Sequence, residues 1–108
     1  MSFVDKKFSV NLKPYEFEME LYIYPVALCG EDVSRGEPLE VKASGHDLHK
    51  LKLQVNELIL LTMSSEGYDG ECFVEMRVTE RGNYHSSDEW WAEVDLVNKK
   101  VEYKGGYV

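Results

Sequence analysis

Tyr15-Glu16-Phe17-Glu18-Met19-Glu20-Leu21-Tyr22-Ile23-Tyr24 alternates without interruption over ten residues. A β-strand points successive side chains to opposite faces, so Tyr15, Phe17, Met19, Leu21 and Ile23 share one side. Glu16, Glu18, Glu20, Tyr22 and Tyr24 share the other. The pattern is that of a half-buried antiparallel strand whose outer face is first acidic and then aromatic.

Working outward, Phe8, Val10 and Leu12 alternate with Ser9 and Asn11 and predict a short first strand. Lys13-Pro14 breaks it, giving a hairpin with the 15–24 strand, which Pro25 ends. Residues 26–40 carry Gly30, Gly36 and Pro38 among charges and read as a long loop, with a short strand at Leu39-Glu40-Val41. Residues 44–63 predict the main helix. Leu48, Leu51, Val55, Leu58, Ile59 and Thr62 recur at spacings of three and four, and Ser44 or Asp47 can cap it. Leu51, Leu53 and Val55 also alternate at period two, but length and good helix formers favour the helix. Ser64 to Gly70 is turn chemistry.

Glu71–Glu80 alternates with Cys72, Val74, Met76 and Val78 inward, and a polar loop follows from Arg81 to Asp88 or Glu89. Trp90–Val97 sends Trp90, Ala92, Val94 and Leu96 inward. Asn98-Lys99 turns into Lys100–Tyr103, and Gly105-Gly106 ends the ordered chain. The expected fold is α+β: one domain over residues 1–108, with an antiparallel sheet of four to six strands packed against one main helix, in the order ββ-loop-α-βββ. Its expected core includes Phe17, Leu21, Val74, Met76, Trp90, Val94 and Leu96.

The 108 residues are 44% hydrophobic and 30% charged, the composition of a globular domain rather than a disordered tail. The longest apolar run, Leu58–Leu61, is four residues, so no membrane span is expected. Met1–Lys7 carries no secretory pattern, and Cys29 and Cys72 are widely spaced, which predicts reduced thiols in a cytoplasmic protein. The net charge is −8, and residues 64–96 hold −7 of it, with nine acids against Arg77 and Arg81. That excess argues against direct contact with nucleic acid, where each phosphate wants a cation.

Chemistry-bearing motifs are weak. His46 and His49 share a helix-start face with Asp47 between them, a spacing metal sites use, but no complete ligand set is in view. The carboxylates of Glu66–Glu71 do not match a calcium loop. His85 adjoins Ser86-Ser87, yet adjacency is not nucleophile–base geometry. No P-loop, nucleophile elbow or dinucleotide fingerprint occurs. The expectation is no enzyme, no metal and no cofactor.

Trp90-Trp91 is sharper, because strand neighbours cannot face the same way. With Trp90 inward, Trp91 joins Glu93 and Asp95 outside. Phe73 is likewise thrown outward beside Glu75. The candidate partner-binding face is therefore Glu16, Glu18, Glu20, Tyr22, Tyr24, Phe73, Glu75, Trp91, Glu93 and Asp95, aromatics among carboxylates. In size, charge and pattern the chain resembles small inhibitor and immunity proteins that neutralise basic nucleases and toxins, and phage-encoded inhibitors of host proteins, although no motif identifies a family. The resemblance implies a basic protein partner that the domain blocks. The alternatives are a small homodimeric or adaptor domain using the same face, or a small enzyme gathering the histidines with acids.

Overall fold

A computed structural model describes residues 15–30 and 32–106 of the chain. The predicted Phe8–Leu12 strand and its hairpin fall outside the described residues. The others form a five-stranded antiparallel sheet with helices: β1 (Phe17–Pro25), α1 (Val26–Cys29), β2 (Leu39–Gly45), α2 (Leu48–Leu53), α3 (Val55–Glu66), β3 (Gly70–Glu80), β4 (Asn83–Asp95) and β5 (Lys100–Gly106). The strand order is β2-β1-β3-β4-β5. No described helix is long and apolar enough to cross a membrane.

β1 occupies a position between two neighbours, and its alternation is realised residue by residue. Met19, Leu21, Ile23 and Pro25 are buried while Glu18, Glu20, Tyr22 and Tyr24 are not. Met19 lies between Ala43 and Val78, Leu21 between Val41 and Met76, and Ile23 between Leu39 and Val74. Leu51, Val55, Ile59 and Met63 close this cluster from the helical side, four residues apart on one face.

The helical segment differs from its expected form in three respects. It starts at Leu48, because Ser44 is held in β2 opposite Glu18 and leaves Asp47 as the cap, accepting from the Lys50 backbone N–H at 3.3 Å. It is divided at Gln54, whose N–H turns back to the Leu51 carbonyl at 3.0 Å in a tighter i−3 bond. It runs on to Glu66, where Gly67 adopts φ +77° and the N–H groups of Gly67 and Tyr68 bond the carbonyls of Ser64 and Met63. That left-handed close satisfies carbonyls that would otherwise be orphaned.

The polar loop expected over 81–89 is instead the start of β4. Only Arg81 (φ +51°) and Gly82 (φ +87°) turn the chain between the paired residues Glu80 and Asn83. Positive φ at both central residues suits the twist of a two-residue hairpin. Arg81 is an unusual occupant of such a turn, and contacts to Glu16 hold it: a 2.8 Å bond from its N–H to the Glu16 carbonyl and a 3.8 Å ion pair. Residues 83–89 are nearly all exposed and show no apolar period. Their strand state rests on the ladder to β3. The 26–40 loop contains α1, a 3₁₀ turn at Val33–Arg35 and the first residues of a β2 longer than the expected 39–41.

Of the expected core, Leu21, Val74, Met76 and Val94 are buried, whereas Phe17, Trp90 and Leu96 pack against it partly exposed. The facing of the two tryptophans follows the alternation, but both are half-buried. Trp90 lies in a groove beside Leu53, Met76, Val101 and Tyr103, so its loss costs less than that of an enclosed tryptophan.

Ile59 is fully enclosed and Leu53 is 70% exposed. Ile59→Ala is expected to lower stability by about 2–5 kcal/mol and Leu53→Ala by no more than about 0.5 kcal/mol. Urea unfolding with an unchanged m value checks both.

Candidate functional site

Strand register converts the outer face into rows that cross the sheet. Tyr24 opposes Phe73, which opposes Trp91, which opposes Gly105. The rings touch in sequence, Tyr24 to Phe73 at 6.3 Å and Phe73 to Trp91 at 5.0 Å, in tilted arrangements that suit aromatic quadrupoles. Phe73 is buried within this row and Tyr24 and Trp91 are half-buried. α1 packs against β1 and β3 at the Tyr24 end. At the other end a Cβ on Gly105 would meet nothing within 4 Å, so the row opens over β5 beside Trp91.

Acidic rows flank the aromatic one. On one side Glu75 opposes Glu89, and on the other Glu71 opposes Glu93, which opposes Glu102. Along a strand the two rows stand four residues apart, about 13 Å. Like charges directly opposite one another on neighbouring strands destabilise a sheet. Lys104 relieves one of them by approaching Glu93 at 3.6 Å. Glu71, Glu89 and Glu102 have no ion pair among the described residues.

Nine of the ten residues singled out in the sequence lie on strands with outward parity, and Glu16 precedes β1; their surroundings divide them. Glu16 pairs with Arg81 at 3.8 Å, and Glu20 with Lys42 at 3.6 Å while accepting the Tyr22 hydroxyl at 3.0 Å. Arg77 stacks over the Tyr22 ring at 5.5 Å. The β1 end of the face is thus largely internally compensated; Glu18 also has an interaction of its own. Asp95 is taken up by its turn, accepting from the Val97 and Asn98 backbone N–H groups and the Asn98 amide. These bonds to Asn98 hold its carboxyl below the usual range. Uncompensated charge therefore gathers around Trp91 on β3, β4 and β5. Glu71, Glu89 and Glu102 carry it, beside Glu75, which accepts the Tyr24 hydroxyl, and Glu93, which Lys104 approaches. The alternation of β3 marks Glu71 as outward; the polar composition of residues 81–89 hides Glu89, and Glu102 depends on the β4–β5 register.

The other candidate chemistries stay dispersed. His46 and His49 are exposed at the start of α2, and His85 sits in β4 with its ring edge-on to Phe17 at 5.7 Å. Among the described residues no group of three or more His, Cys, Asp or Glu side chains is placed to hold a metal ion. Asp69, in the acidic Glu66–Glu71 segment, braces the chain by accepting from the N–H groups of Gly70 and Leu96 at 3.1 Å each. Burial pushes the Cys72 thiol up to about 12, which leaves it an unreactive core group. Comparison with protein-family models, curated proteins and solved structures finds no match to the chain.

Two outcomes follow from the cross-strand rows. Glu89→Lys replaces a glutamate pair with an opposite-charge pair and is expected to stabilise the isolated protein by about 0.2–1 kcal/mol in denaturant melts. Tyr24 titrates at about 12 because burial disfavours its anion, its hydroxyl donates to Glu75, and the Glu75 charge repels a phenolate. Since the folded value lies above the ordinary 10.0, this contribution to stability is complete below about pH 10 and disappears as pH rises towards 12. Burial and Glu20 also raise Tyr22, so ultraviolet titration should show late tyrosinates of which Tyr24→Phe deletes one and Glu75→Gln moves that one to lower pH.

Proposed function

We propose that the domain acts by binding a basic protein and blocking it, in the manner of an inhibitor or immunity protein directed at a nuclease or toxin. The observation that carries this reading is the self-repulsion of the rows around Trp91. Glu75 against Glu89, and Glu93 between Glu71 and Glu102 with Lys104 as the one cation near it, cost the free protein stability that a cationic surface would return on docking.

Trp91 supplies the anchor. Its indole stands half-exposed beside the open space over Gly105, a large apolar group framed by acids. An arginine or lysine of the partner placed there meets carboxylates and the aromatic face together. The excess of −7 within residues 64–96 adds long-range attraction that steers a basic partner towards the same face. Function by occlusion requires no catalytic group of this chain, and the scattered histidines have no part in it.

The reading is tested by capturing proteins from native lysate at low salt, with the wild-type chain and Trp91→Ala as parallel baits, and measuring the kinetics of the captured partner. Added salt should slow association and leave dissociation nearly unchanged. Trp91→Ala should speed dissociation by about thirtyfold, the effect of losing an interface hot spot. An acidic partner, or binding indifferent both to salt and to Trp91→Ala, overturns the proposal.

A further inference from the structure

The two edges of the sheet are built differently. On β5, Tyr103 opposes Ala92 and Gly105 opposes Trp91, so Lys104 is an inserted residue that bulges the strand. Bulges hinder the addition of another strand. On the opposite edge, β2 pairs one-for-one with β1 through seven residues, from Phe17↔Gly45 to Ile23↔Leu39, with no irregularity. Among the described residues its other side has no strand neighbour. A groove runs between this edge and α3, lined by Pro38, Leu39, Val41, Leu58 and Leu61, and Leu61 is 58% exposed.

The sequence of β2 fits itself. Alternation puts Glu40 and Lys42 on the outer face and Leu39, Val41 and Ala43 on the helical side. Two copies joined antiparallel in one sheet must oppose residues of the same face, which restricts the register to steps of two. Centred on Val41, the pairing sets Glu40 against Lys42 of the partner subunit and Lys42 against Glu40 of the partner subunit. Val41 then meets Val41 of the partner subunit, and Leu39 meets Ala43 of the partner subunit. Centring on Glu40 instead would oppose two glutamates, and centring on Lys42 two lysines, each destabilising. Of these three registers, only the one centred on Val41 sets Glu40 against Lys42, and it pairs residues 39–43 of each copy.

We infer that the protein forms a two-fold dimer through β2, doubling the five-stranded sheet into one continuous antiparallel sheet. A lone lysine on an edge normally discourages strand addition. Here Lys42, already 3.6 Å from Glu20, would sit between that carboxylate and Glu40 of the partner subunit. The groove edge bearing Leu61 would be covered by the second copy.

Light scattering and sedimentation equilibrium of the full chain across a concentration series provide the test. The wild type should dimerise, and Glu40→Lys or Lys42→Glu alone should weaken association by about tenfold or more. The double variant should restore it, and so should an equimolar mixture of the two single variants, because each then meets its opposite charge. Leu61→Glu, an exposed change outside the strand, should weaken the dimer as well, and thermal melts confirm that each protomer is folded. A wild type that stays monomeric at every concentration overturns the inference. So does a dimer that neither single swap weakens, or one that the double variant and the mixture fail to restore.

Discussion

The structure depends on β1 having one face to give. Flanked by β2 and β3, it has ladder partners on both sides, so its side chains can be satisfied only above or below the sheet. Met19, Leu21 and Ile23 take the side that the helices cover, and their register fixes the inward sets of both neighbours: Leu39, Val41 and Ala43 on β2, and Val74, Met76 and Val78 on β3. A slip of one residue would bury Glu18, Glu20 and Tyr22 against Ile59 and Met63, which their desolvation forbids. The outer face is acidic and aromatic because the inner one cannot be.

That constraint is why so much of the fold is legible in the sequence. β1 and β3 each lay one face on the helices, and the alternation of burial appears as an alternation of residue type. Where burial stops, so does the signal. Tyr84 to Glu89 extend β4 with side chains that are nearly all exposed, and their composition is that of a loop. The helical segment shows a related limit. Its i+4 ladder of Leu51, Val55, Ile59 and Met63 identifies the face, yet the tightened turn at Gln54 follows from no residue preference, and nothing in the structure explains it. Ser44 has the chemistry of a cap, but pairing opposite Glu18 takes it into β2, and Asp47 inherits the role.

The candidate site divides along the same line. Parity alone sorts the side chains by face, and Phe73, on the outward side, is nevertheless buried between Tyr24 and Trp91. Compensation is a matter of register, which parity does not contain. Only the alignment of β1 with β2 brings Lys42 to Glu20, and only the hairpin at Arg81 returns a guanidinium to Glu16. The same alignments bring Glu71, Glu93 and Glu102 into one row and Glu89 opposite Glu75, so the strongest repulsion lies nearer β5 than the β1 pattern suggested.

Face and edge then make separate demands that the fold meets together. A two-fold joining β2 to its copy stands perpendicular to the sheet, because outer-face residues must meet outer-face residues across it. Both Trp91 surfaces consequently lie on the same side of the doubled sheet, and both helical layers on the other. The proposed partner surface around Trp91 is left open by the proposed dimer contact. Long-range repulsion between two acidic protomers opposes the contact, while the Glu40 and Lys42 pairs act at short range across the edge itself. Charge that draws a basic partner to the face thus resists the edge, and local complementarity must outweigh it for the dimer to form.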